Sequence, residues 1–205
     1  MMSQTFLPVI TIVNIFILVF STFNLFRRRN IVNLLAAFSV LSFVMIEASK
    51  FFLLFDARFA DKIFGLGISL SVLFVIMLSS SFLPSKGYSV NRVILSPIFG
   101  FISLVFFLIW WIKPFITQAN LAGGEPLGLL ARYFFVVVVF DFTLALSNLE
   151  RGFYYTKSRS IKLLLVSALF VAGPYILLAV YAVLFSQINY TIFRYSSVSV
   201  LIGGV

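Results

Sequence analysis

The sequence of 205 residues holds no cysteine and no histidine. Those two absences together exclude disulfides, thiolate nucleophiles, haem ligation through histidine and the common zinc sites. They also leave any serine nucleophile without its usual base. Charge is scarce as well, at 10% of residues, with only 6 acidic side chains against 15 Lys and Arg. What fills the chain instead is apolar: 62% hydrophobic residues, 27 of the side chains phenylalanine, and a mean hydropathy of +1.14. A water-soluble fold of this size has nowhere to bury so much apolar surface. The sequence therefore describes a membrane protein, all-α, with the lipid bilayer as its main partner.

A hydrocarbon core of about 30 Å needs roughly 20 apolar residues in a helix. Six stretches meet that length: Phe6–Phe26, Asn33–Phe55, Ile63–Leu83, Val93–Ile112, Leu127–Leu149 and Ile161–Phe185. A seventh runs from Tyr195 to the end and covers only about 15 Å, half a bilayer. The expected fold is a polytopic transmembrane helical bundle of about seven helices forming one domain over 1–205, with the last helix incomplete and the parent chain continuing beyond Val205. The Pro84–Asn91 stretch and the Gly-Gly-Glu-Pro run at 123–126 read as loops. No inverted repeat of the kind that marks many transporters is visible.

The net charge of +9 would suggest nucleic acid in a soluble protein, but its distribution gives another reason for it. Basic side chains cluster in alternate loops: Arg27, Arg28 and Arg29 in the first, Lys86 and Arg92 in the third, Arg151, Lys157, Arg159 and Lys162 in the fifth. The loops between hold only Arg58 and Lys62 beside Asp56 and Asp61, Lys113 with Glu125, and Arg194. Lys and Arg near helix ends stay on the cytoplasmic side, so the odd loops belong inside and the N-terminus outside. Signal peptides carry their positive charges before the apolar run, whereas here they follow it, so a cleaved leader is not expected. Trp110 and Trp111 near an outer helix end, Tyr190 and Tyr195 outside, and Tyr88, Tyr154 and Tyr155 inside fit interfacial aromatic belts. Nucleic-acid binding is not expected.

Four ionisable residues fall within the spans: Glu47, Lys50, Arg132 and Asp141. Such groups turn toward the bundle interior and find partners there. Glu47 and Lys50 are three residues apart, share a helix face and can pair locally. Lys50 lies about 9 Å from the outer end of its helix, close enough for its stem to snorkel outward. Asp141, near mid-membrane, requires either a proton or a donor from another helix, Lys50 among the candidates. Arg132 is on the opposite face of that helix and reads as an interfacial anchor. Asn148 shares the Asp141 face, and Ala145 between them permits close helix approach. Gly173-Pro174-Tyr175 predicts a kink in the sixth helix, with a freed carbonyl that Tyr175 and Tyr181 are placed to satisfy. The candidate polar network is thus Glu47, Lys50, Asp141, Asn148, Tyr175 and Tyr181. A packing or assembly role for Asp141 is favoured over a ligand or proton role. The residues give no catalytic constellation, metal site or cofactor.

The stretch from Leu146 to Arg194 adds a resemblance. It reads Leu-Ser-Asn-Leu-Glu-Arg-Gly-Phe-Tyr-Tyr, a short basic loop, Ser160-Ile161-Lys162 opening a helix that ends Tyr181-Ala-Val-Leu-Phe185, then Ile188-Asn189 and Arg194. This resembles the end of the membrane region in the sensor histidine kinases associated with PEP-CTERM/exosortase systems. It covers about a quarter of the chain, and Glu150, Lys162, Tyr181 and Arg194 are the positions that carry over. Those kinases tend to have an acidic residue after the mid-helix tyrosine, where this sequence has Pro174-Tyr175-Ile176. The resemblance implies a bacterial cytoplasmic-membrane protein, dimeric as kinases are, whose cytoplasmic GAF-like and kinase domains follow the seventh helix and address a response regulator. The phosphoacceptor histidine would then lie outside this sequence. The resulting expectation is a membrane-embedded sensory module, the alternative being a transporter or an accessory subunit of a membrane complex.

Overall fold

The computed structural model describes residues 2–27, 30–53, 55–83, 94–112, 120 and 126–204. Among the described residues there are seven α-helices and no strand: α1 (Met2–Arg27), α2 (Ile31–Phe52), α3 (Ala57–Ser81), α4 (Ser96–Ile112), α5 (Leu129–Thr156), α6 (Arg159–Phe185) and α7 (Tyr190–Gly204). Five of them, α1, α2, α3, α5 and α6, are long and apolar enough to cross a bilayer, and α4 is a shorter apolar helix. With 15 residues α7 spans about 22 Å. The chain is a multi-pass all-α membrane protein, as its hydropathy requires. Tyr88 and the Pro84–Asn91 loop lie outside the described residues, as do positions 123–125 of the Gly-Gly-Glu-Pro run.

Helices extend furthest beyond their expected apolar runs at α3, α5 and α7, because capping rather than hydropathy decides where a helix ends. α3 begins at Ala57, ahead of the expected Ile63, where the Asp56 carboxylate accepts the backbone N–H groups of Arg58 at 2.9 Å and Phe59 at 3.2 Å. α5 continues past Leu149 to Thr156 and stops where Lys157 turns left-handed, its N–H donating to the Phe153 carbonyl at 2.8 Å. α7 starts at Tyr190, five residues before the expected Tyr195, with the Asn189 side chain accepting the Ile192 N–H at 3.1 Å.

Six helices close a ring in the order α1, α2, α3, α5, α6, α7 and back to α1, while α4 sits against α3 and α5. Aromatic side chains fill the interior. Phe43 of α2 lies 6.4 Å from the Phe142 ring of α5 and 5.9 Å from the Tyr175 ring of α6, bridging the ring of helices from within. Apolar side chains also point away from the bundle, among them Phe16, Phe20, Phe23, Leu177 and Leu184, and these meet lipid.

Lipid tails are as apolar as leucine, so helices in a bilayer associate by close packing and by hydrogen bonds rather than by escape from water. Two glycines of α3 show the packing part. The indole of Trp110 lies so close to Gly65 that a Cβ there would fall 1.8 Å from Trp110 Cε2, and at Gly67 a Cβ would stand 2.9 Å from the Ile46 backbone nitrogen. Trp110 consequently is not part of an interfacial belt: it is 1% exposed, ringed by Phe64 and Phe134, and its indole N–H donates to the Asp61 carbonyl at 3.3 Å. Trp111 keeps an outward position at 61% exposure. Helical rotation of about 100° per residue separates these neighbours into core and surface.

Candidate functional site

The polar centre of the bundle is built on α2. Glu47 and Lys50, one turn apart, form a direct ion pair inside the protein, with the Glu47 residue 0% exposed and the Lys50 side chain 8% exposed. Three other helices supply the rest of the shell. Glu47 Oε1 accepts from Lys50 Nζ and from the Tyr175 hydroxyl of α6 at 3.1 Å. Glu47 Oε2 accepts from the Ser197 hydroxyl of α7 at 2.7 Å and from the Asn14 amide of α1 at 3.3 Å. Four donors on one carboxylate match its capacity as an ionised acceptor. Lys50 Nζ reaches Ser196 Oγ at 2.7 Å, Ser197 Oγ at 3.1 Å and Tyr175 Oη at 3.2 Å, and stands 5.4 Å from the ring centroids of both Tyr175 and Phe193. Asn14 completes the network by donating to the Ser197 carbonyl at 2.7 Å.

Taking two charges out of water costs several kcal/mol per ion, and the mutual attraction offsets this only when every remaining lone pair and proton is also satisfied. Here the pair carries its own compensation, and the compensation comes from α1, α6 and α7. The charges therefore act as a clamp between α2 and those three helices. The Lys50 ammonium does not snorkel: it turns inward, because Glu47, two serines and two aromatic faces replace the water it would reach at the surface.

Of the six side chains expected to form a polar network, Glu47, Lys50 and Tyr175 come together. Tyr175 does not cap a carbonyl freed by Pro174; its hydroxyl is used by Glu47. Tyr181 is elsewhere, its ring 4.6 Å from that of Phe185 one turn on. Asp141 does not meet Lys50. It is 0% exposed and neither carboxylate oxygen has a hydrogen-bond partner among the described residues. The physical reason is orientation: Lys50 faces α6 and α7, whereas the Asp141 face of α5 includes Asn148, whose amide donates to Ser79 Oγ of α3 at 3.4 Å. Buried Ala145, on that face between them, lets α3 come close. Arg132 donates from Nη2 to the Val183 carbonyl at 3.1 Å, tying α5 to the last turn of α6, where helix carbonyls lack internal donors.

Asn14, Ser196 and Ser197 belong to the site and were not singled out from the sequence. Asn14 gave a usable signal, an amide in the middle of an apolar span, where such groups glue helices together. Serines are too common in these helices for Ser196 and Ser197 to stand out. The Arg194 side chain, one of the positions carried over from the kinase resemblance, lies outside the described side chains. Glu150 and Lys162 are exposed, in the last two turns of α5 and the first turn of α6 respectively.

The fold and site together define a polytopic helical membrane protein organised around a buried, fully hydrogen-bonded ion pair. No family model, no curated protein and no solved structure matches this chain.

Proposed function

We propose that this chain is a membrane-embedded signal-transducing module whose output helix is α7. The observation that carries the reading is the grip of α2 on α7: Lys50 and Glu47 together hold both Ser196 and Ser197. A stimulus that shifts α2 or α6 changes the partners available to the pair, and α7 must then slide or rotate to keep its two serines bonded. Discrete rearrangement is favoured over gradual deformation because a half-satisfied buried pair is costly. The signal would be a membrane-soluble or interface-bound molecule, or the state of the bilayer. In the fuller form of the proposal, α7 leads to the cytoplasmic domains of a two-component histidine kinase in a bacterial inner membrane, with a homodimeric parent and a response regulator as partner. The resemblance of the stretch from Leu146 to Arg194 to such kinases is what supports that form.

The test begins with the coding sequence after Val205. A reading frame that continues into a kinase domain is expected, and a stop codon there would overturn the kinase form. In the full-length protein, Lys50→Met is expected to change autophosphorylation in membrane vesicles severalfold. Normal insertion with wild-type phosphorylation rejects the coupling through α7. One observation favours the alternative, a transporter or accessory subunit: Asp141, a buried carboxylate outside the ion-pair network, is the type of intramembrane group that marks ion pathways.

A further inference from the structure

Away from the ion pair, three buried side chains have polar atoms without partners among the described residues: Asp61 near the start of α3, through Oδ1, Asp141 of α5, with both oxygens unbonded, and Ser69 of α3, with its Oγ unbonded. Asp141 and Ser69, on neighbouring helices, are 0% and 1% exposed. Buried polar atoms in native proteins are nearly always satisfied, and an unsatisfied one calls for a water, an ion or a functional explanation.

The helix registers set Asp141 and Ser69 at a similar depth to a third group, Ser103 of α4, itself 1% exposed. At the outer end of this junction Trp110 of α4 rests on Gly65 of α3 and on the Phe134 ring of α5. Moving inward, Ser69 follows Gly65 by one turn on the same side of α3, Ser103 precedes Trp110 by two turns on the same side of α4, and Asp141 follows Phe134 by two turns on the same side of α5. The inner boundary is set by Gly100 of α4 against Leu73 of α3, and by Asn148 of α5 bonded to Ser79 of α3. Counting from those two contacts, Ser103 stands level with position 70 of α3 and Asp141 with position 72. All three side chains therefore fall within about 5 Å along the helix axes. Ser103 donates its proton to the Phe99 carbonyl at 2.8 Å, which leaves its lone pairs as acceptors.

We infer that the α3–α4–α5 junction is a binding site for one small monovalent cation, sodium by chemical class, held by Asp141 Oδ1 and Oδ2 with the hydroxyl oxygens of Ser69 and Ser103. The donor set is entirely hard oxygen, which suits alkali and alkaline-earth ions rather than transition metals. With Asp141 ionised by the bound cation, it carries a single negative charge. A divalent ion would leave an uncompensated positive charge in the middle of the bundle, whereas a monovalent ion makes the site neutral. Occupancy would tie α3, α4 and α5 together on the side of the bundle opposite the α7 clamp, and it does not depend on that clamp.

The experiment uses the full chain purified into nanodiscs, with sodium chloride titrated against choline chloride at constant ionic strength and fixed pH. Thermal unfolding followed by tryptophan fluorescence is the readout. The unfolding temperature should rise with sodium, since a ligand that binds only the folded state stabilises it. Asp141→Asn should abolish the rise. Should Asp141→Asn fail to fold, Ser69→Ala and Ser103→Ala serve instead, each moving the sodium midpoint up by about tenfold, equivalent to ~1.4 kcal/mol. An unfolding temperature indifferent to sodium overturns the site, and so does a sodium response that survives in Asp141→Asn or keeps its wild-type midpoint in both serine variants.

Discussion

Ser197 of α7 donates its hydroxyl to Glu47 Oε2 of α2 at 2.7 Å, across 150 residues of sequence. The same serine accepts from Lys50 at 3.1 Å, and its backbone carbonyl accepts from Asn14 of α1. One small residue is thus bonded to both members of an ion pair and to a third helix. Its position fixes the rotation of α7, because turning α7 by one residue would carry Ser197 about 100° away from all three partners.

The pair should behave as one unit under mutation. Lys50→Met leaves a carboxylate buried without its counter-ion and is expected to cost about 3–5 kcal/mol. Tyr175→Phe keeps the ring beside Phe43 and removes the hydroxyl's two hydrogen bonds, to Glu47 and from Lys50, at about 1.5–3 kcal/mol for a bond to a charged group. Glu47→Leu combined with Lys50→Met should lose much less than the two single changes added together, since no charge is then stranded. Reversible unfolding in mixed micelles, arranged as a double-mutant cycle, measures this. Additive losses would show that the two charges are stabilised separately.

Contact between Gly65 and Trp110 yields a second expectation. Gly65→Ala introduces a Cβ where the indole now lies, and overpacking of this kind costs about 1–3 kcal/mol. Because Trp110 also packs on Phe64 and Phe134, its ring has little room to retreat. Pairing Gly65→Ala with Trp110→Leu should restore part of the loss relative to Trp110→Leu alone. A red shift of tryptophan emission in Gly65→Ala would report the displaced indole directly, and unchanged emission with unchanged stability would contradict the packing argument.

Orientation follows from loop charge. Reporters fused after Arg29 and after Arg159 should both report the cytoplasm, and one fused after Gly128 the opposite side. The absence of native cysteine permits a parallel check by labelling single introduced cysteines in whole cells. Arg29 and Arg159 on opposite sides would break the placement of the odd loops on one side of the membrane.

The sequence showed the helices readily and their ends poorly. Hydropathy located the apolar part of α3 but missed its first turns, because those contain Arg58, Asp61 and Lys62 and are held by the Asp56 cap. The pairing of Glu47 with Lys50 was legible because i,i+3 neighbours share a helix face whatever the tertiary fold. Tyr175 was recognisable as polar in a membrane, yet its destination was not. A hydroxyl is satisfied by whichever acceptor the neighbouring helix presents, and Glu47 comes from a helix 128 residues distant in sequence.

Membrane residence, all-helical structure and the loop-charge asymmetry were determined by the sequence alone, since each depends on the composition of contiguous segments and on the cost of exposing polar backbone to lipid. Which faces meet was decided only in the tertiary structure. The rotation of each apolar helix is nearly undetermined by hydropathy, as lipid and protein interior are equally apolar. It is set by a few close contacts and buried hydrogen bonds: Trp110 on Gly65, Ser197 on Glu47, Asn148 on Ser79. Those contacts turn Lys50 toward α7 and leave Asp141 facing α3, a division no periodicity in the sequence records.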